Sequence, residues 1–92
     1  MNKKRDRLEI IRDILLIIRD RGIKVKPTHI MYKANLSHQM LTEYTDELLK
    51  KKMVVEETDK KDKKHFNITD KGLNYLNDYH MIRGFMDSYG LE

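Results

Sequence analysis

Ninety-two residues, 39% hydrophobic and 37% charged, support one small core and leave little room for an enclosed substrate pocket. The formal net charge of +4, from 19 basic and 15 acidic residues, favours polyanions wherever the cations cluster. There is no cysteine, which excludes disulfides, thiolate metal sites and cysteine nucleophiles.

The N-terminus is charged, but the apolar stretch after it is interrupted by Glu9, Arg12 and Asp13, unlike a signal peptide. The unbroken run Ile14–Ile18 is far shorter than the about 20 residues that cross a bilayer. The chain reads as cytoplasmic and soluble, with no membrane partner. From Asp6 to Arg21 the apolar residues fit a helix with two stripes, Leu8, Ile11, Leu15 and Ile18 on one and Ile10, Ile14 and Ile17 beside it. One stripe is expected to pack inward and the other to meet the C-terminal helix or a partner chain. Gly22 ends the helix, and Ile23-Lys24-Val25 suits a short strand or an extended link.

Pro27 opens a brief second helix that runs to about Lys33 or Ala34. Asn35-Leu36 turns the chain, and Ser37 is placed to cap a third helix reaching about Lys52. Met53-Val54-Val55 and His65-Phe66-Asn67-Ile68 are β-prone, and the charged run from Glu56 to Lys64 between them fits a long-tipped hairpin. Thr69 caps a last helix from Asp70 to about Ser88, in which Leu73 and Leu76 are expected to close the core. The predicted fold class is mainly α with a small β-hairpin: a winged helix-turn-helix over residues 6–72, plus a C-terminal dimerisation helix over 70–88, in one domain spanning 1–92.

On a helical wheel the third helix gathers Met40, Leu41, Tyr44 and Leu48 in one arc, with Gln39, Thr42, Glu43, Asp46 and Lys50 opposite. In a helix-turn-helix the first turn of the second helix enters the major groove. Ser37, His38, Gln39, Thr42 and Glu43 are therefore the candidates for base readout. Gln can bond adenine, Glu can accept from the cytosine amino group, and Ser and Thr are versatile. A plain solvated helix face has the same composition. Glu43 and Asp46 oppose non-specific binding and point towards a selective reader.

Lys60, Lys61, Lys63 and Lys64 at the hairpin tip, with Lys26, Thr28, His29 and Lys33 around the short second helix, are the candidate phosphate contacts. A lysine-rich tip is also ordinary for a solvated turn. Lys50, Lys51 and Lys52 suit the helix dipole first.

The string Ile30-Met31-Tyr32-Lys33-Ala34-Asn35-Leu36-Ser37, with Tyr44, Leu48, the isoleucine-rich first helix and Thr69-Asp70-Lys71-Gly72, resembles the ten-kilodalton winged-helix DNA-binding proteins of archaea. The resemblance covers nearly the whole chain. It implies a homodimer joined through antiparallel C-terminal helices, with DNA-binding or chromatin-associated activity. Two departures stand out: a shorter last helix with Gly84 inside it, and the acids Glu43 and Asp46 in the recognition helix.

In that last helix Tyr75, Tyr79, Ile82, Met86 and Tyr89 are spaced as a two-heptad seam. The stripe either pairs with a second chain, joined there by Ile10, Ile14 and Ile17, or folds back onto those three residues of its own chain; pairing is the favoured reading. The partners expected are therefore double-stranded DNA and a second copy of the chain. Catalytic residues, metals, cofactors and small-molecule ligands are not expected, since His29, His38, His65 and His80 lack metal-ligand spacing and there is no glycine-rich phosphate loop. A dimeric transcriptional regulator is the favoured function. A nucleoid-associated DNA-coating protein and a winged-helix protein-interaction module are the alternatives.

Overall fold

The computed structural model describes residues 5–22 and 25–91. Helix α1 (Arg7–Arg21) starts at Asp6, whose carboxylate accepts from the Glu9 N–H at 2.8 Å, and stops at Gly22 in a positive-φ conformation. Asp6 is thus the cap and not the first helical residue. Of the expected Ile23-Lys24-Val25 strand, the first two residues lie outside the described residues. Val25 makes a single antiparallel bridge to Phe66.

Helix α2 (Pro27–Lys33) has proline at its first position, where no N–H is needed. Asn35 turns the chain at φ 55°, a conformation that asparagine tolerates better than most residues. The Ser37 hydroxyl then accepts from Met40 N–H at 3.1 Å and caps α3 (His38–Lys50). Helix α3 ends two residues earlier than expected. Lys51 closes it through its N–H to the Glu47 carbonyl, and Lys52 adopts φ 60°, which no helix continues through.

Strands β1 (Val54–Thr58) and β2 (Lys64–Ile68) pair antiparallel, with Val54 opposite Ile68 and Thr58 opposite Lys64. Glu56, Glu57 and Thr58, expected in the loop, are strand residues, so the tip is shorter and the hairpin stiffer. Their partners across the ladder satisfy backbone groups that a loop would leave to water. Thr69 caps α4 (Asp70–Ser88) by accepting from the Gly72 N–H at 3.2 Å, while its hydroxyl donates towards the Lys52 and Met53 carbonyls at 2.7 and 2.9 Å. One side chain therefore ties the end of α3, the start of β1 and the start of α4.

The core is built around Ile14, Leu15, Ile18, Val25, Ile30, Leu48 and Val54, all fully buried. Helix α1 packs against α2, β2 and α4. Packing on several sides covers Ile11, Leu15 and Ile18 of one stripe and most of the other, and Ile10 and Ile14 are buried in the protomer's own core. Their expected place in a dimer interface is corrected on that ground, because neither has surface left to offer; Ile17 is partly buried against the same core. Leu8, at the start of the stripe that holds Ile11, Leu15 and Ile18, is exposed.

Leu73 is corrected too. It is 41% exposed, because the inward face of α4 runs through Gly72, Leu76 and Tyr79, and Leu73 lies about 100° round the helix from Gly72.

Candidate nucleic-acid interface

The helix turn places Ser37, His38, Gln39, Thr42 and Glu43 at the start of α3, and all five are exposed. The opposite face of α3 is held down by Leu41 and Leu48, both buried, and by half-buried Met40 and Tyr44. Thr45 is buried as well, its hydroxyl donating to the Leu41 carbonyl at 2.8 Å. Helical periodicity gives no hint of this, since a threonine reads as a surface residue until its proton finds a carbonyl.

The wing supplies the cations. Asp59 organises its tip: its carboxylate accepts from the backbone N–H groups of Lys61 at 2.8 Å and Lys63 at 2.9 Å. Asp59 N–H in turn donates to the Lys63 carbonyl, and Asp62 takes φ 61°. The Lys63 N–H, followed by that of Lys61, holds the Asp59 carboxyl below its ordinary range. This acid shapes the loop that presents the lysines.

The Val25–Phe66 bridge brings the chain past β2 just before α2 begins. Lys26 thereby faces the wing, and an open groove of about 500 Å³ is lined by Lys26, Lys60, Lys61, Lys63, Lys64, His65 and Asp59. Five lysines line it against a single carboxylate, that of Asp59. Thr28 and Lys33 are exposed on α2, while His29 is half-buried with its Nδ1 enclosed and unbonded. That burial sets His29 apart from the other expected phosphate contacts.

The α4 residues divide. Tyr79 is buried against α1 beneath the Arg12 guanidinium, which sits 5.3 Å from its ring centroid. Tyr75 donates its hydroxyl to the Leu8 carbonyl at 2.9 Å, and the two tyrosine rings stack at 6.2 Å. Burial pushes the Tyr75 phenol up to about 12, with Tyr79 and Asp6 adding to it. The first half of the expected seam therefore folds back on its own chain, and Tyr79 is not available to a partner.

Beyond Tyr79, Ile82, Phe85 and Tyr89 are 56%, 64% and 79% exposed, with Met81 beside them and Met86 half-buried. Heptad spacing does not mark Met81 and Phe85 for this surface. The exposed apolar face is rotated from the heptad seam because Tyr75 and Tyr79 fix which side of α4 faces α1.

A family model described as winged helix-turn-helix matches residues 4–87. The chain belongs to the winged helix-turn-helix family. This winged helix is similar to Sso10a-2, a DNA-binding protein from Sulfolobus solfataricus, at 27% identity and a TM-score of 0.72, over 94% of this chain and 90% of that one. The resemblance carried by the Ile30–Ser37 string is met in that likeness.

The fold is also shared with MepR, a transcription regulator of the Staphylococcus aureus multidrug efflux pump MepA, at 13% identity and a TM-score of 0.73, over 87% of this chain and 60% of MepR. ZitR from Lactococcus lactis, a zinc-responsive MarR family member, is similar at 14% identity and a TM-score of 0.68, over 98% of this chain and 62% of ZitR. Those two likenesses concern the fold alone, and the winged helix spans about three fifths of each of those chains. Among curated proteins, none matches in sequence.

Among the described residues no cluster of His, Cys, Asp or Glu is arranged to hold a metal ion. No described helix is long and apolar enough to cross a membrane.

Proposed function

We propose that this winged helix binds duplex DNA as a sequence-selective regulator. Helix α3 enters the major groove through Ser37, His38, Gln39, Thr42 and Glu43, while the wing lysines and Lys26 hold the sugar-phosphate backbone. The observation that carries the reading is the exposed first two turns of α3 on a fold whose Lys26 and wing form one cationic groove. Phosphate contacts position a protein without reading sequence, and base edges supply the discrimination. Thr28 and Lys33 extend the backbone grip along α2; His29, being half-buried, contributes less.

Selectivity is favoured over uniform coating by the charge of α3. It carries Glu43, Asp46 and Glu47 against Lys50 alone, so a helix entering a groove lined by phosphates is repelled unless its carboxylates find base donors. Two copies pair through the exposed end of α4, around Ile82, Met86 and Tyr89, and present two α3 helices to inverted half-sites. The dimeric arrangement is supported by the apolar row that α4 carries past the protomer's core.

Fluorescence anisotropy of random and selected duplexes across a salt series tests the proposal. A steep salt dependence with a large preference for selected duplexes is expected. Equal affinity for all duplexes would indicate a coating protein, and salt-independent absence of binding would indicate a protein-docking module.

A further inference from the structure

The longest stretch without any of the 19 lysines and arginines runs between Lys33 and Lys50. That stretch contains the helix turn and nearly all of α3. The commonest specific base contact in a major groove is Arg or Lys on guanine O6 and N7, and the exposed face of α3 has neither. Arg7, which borders a shallow hollow with Glu43 and Tyr44, is engaged by Glu47 and lies over the Tyr44 ring, 5.8 Å from its centroid.

Hydrogen bonds within the helix make the Gln39, Thr42 and Glu43 part of that face rich in acceptors, while Ser37, whose oxygen accepts from Met40 N–H, keeps its own proton and the His38 imidazole keeps an N–H. Thr42 Oγ1 donates its single proton to the His38 carbonyl at 3.1 Å, leaving only lone pairs to the groove. Gln39 Nε2 donates one proton to Glu43 Oε1 at 3.1 Å, which leaves its carbonyl oxygen and one N–H uncommitted. A carboxylate only accepts, so the second oxygen of Glu43 adds another acceptor. The major-groove donors available to such a face are the adenine N6 and cytosine N4 amino groups.

We infer that α3 recognises adenine and cytosine amino groups and makes no lysine or arginine contact to guanine, with Gln39 on adenine and Glu43 on a neighbouring cytosine. The inference rests on the groove reading above and names the class of sequence it selects. Gln39 retains the donor and acceptor pair that adenine N7 and N6 require, even with Glu43 bound to its other proton. Glu43 also rejects wrong sites actively: opposite O6, N7 or O4 its carboxylate meets acceptors and is desolvated without a partner.

The test enriches duplexes from a random pool with the full chain, then resynthesises them with base analogues. Replacing adenine by 2-aminopurine keeps the thymine pair and moves the amino group to the minor groove, and N4-methylcytosine blocks the outward proton of cytosine. Replacing guanine by 7-deazaguanine removes the N7 acceptor. The first two should weaken binding by roughly ten- to a hundredfold at contacted positions, and the third by less than about twofold.

Glu43→Gln should admit bases with an outward acceptor at the cytosine position while leaving the fold intact by circular dichroism. A loss on 7-deazaguanine as large as the loss on amino replacement overturns the inference, as does indifference to amino replacement. Failure to enrich any duplex above the pool overturns the groove reading itself, and is thereby distinguished from the first failure.

Discussion

Gly72 and Gly84 lie on the same helix, and a methyl group should act on them in opposite directions. A Cβ on Gly72 would stand 2.5 Å from the Met53 carbonyl oxygen and 2.7 Å from Ile68 Cγ1. The side chain could give way, but the carbonyl is held by Thr69 N–H at 3.0 Å and Thr69 Oγ1 at 2.9 Å. Relief therefore requires α4 to lift from the base of the hairpin.

Overpacking of this kind costs about 1–3 kcal/mol, and the held backbone atom puts Gly72→Ala at the upper end. The gain from replacing glycine by alanine in a helix is about 1 kcal/mol, so the clash wins by roughly 1–2 kcal/mol. For a domain of this size that lowers the melting temperature by about 5–15 °C. Gly84 has nothing within 4 Å of its would-be Cβ. Gly84→Ala therefore keeps the propensity gain alone and should raise the melting temperature by about 4–8 °C.

Thermal unfolding followed by circular dichroism at one fixed protein concentration checks both, the fixed concentration removing any contribution from self-association. A Gly72→Ala protein melting at or above the parent would refute the close approach and, with it, the account of how α4 is seated on the wing.

Replacing Lys60 and Lys61 together by alanine should flatten the slope of log affinity against log salt by about 1.8, at roughly 0.9 for each phosphate no longer neutralised, with the ranking of duplex sequences unchanged in anisotropy titrations. Ile82→Asp should leave the protomer folded, since Ile82 is more than half exposed, yet give the monomer mass in light scattering; a dimer that survives places the pairing elsewhere. The Tyr75 phenol, raised from 10.0 to about 12, binds its proton more tightly in the folded state. Its contribution to stability is complete below pH 10 and is lost as pH rises from about 10 through 12. Urea midpoints measured over that window should fall more steeply for the parent than for Tyr75→Phe.

Much of the architecture was legible because its signals are local. Asp6, Ser37 and Thr69 each place an oxygen where an orphan N–H must be met, and Pro27 and Gly22 act through their own backbone. The outward face of α3 followed from 3.6-residue periodicity, so Ser37, His38, Gln39, Thr42 and Glu43 were identifiable before any packing was known. The lysines of the tip were equally visible, but Asp59 was not recognisable as their organiser, because its role depends on how the tip folds around its carboxylate. Lys26 could be proposed as a phosphate contact, yet its place beside the wing depends on a bridge between residues 41 positions apart, Val25 and Phe66.

The C-terminal helix marks the boundary most sharply. Its periodicity by itself determined that apolar and tyrosine side chains would line one side, and the composition of α1 determined that two apolar stripes had to be covered. Which surface covers which was decided only in three dimensions. Packing against α2, β2 and α4 absorbed Ile10 and Ile14, and the Tyr75 hydroxyl reached the Leu8 carbonyl 67 residues away. A stripe records that burial is favourable, since apolar area gains free energy against any apolar neighbour. It carries no direction, and so the division of α4 into a half bound to its own chain and a half left exposed belongs to the tertiary structure alone.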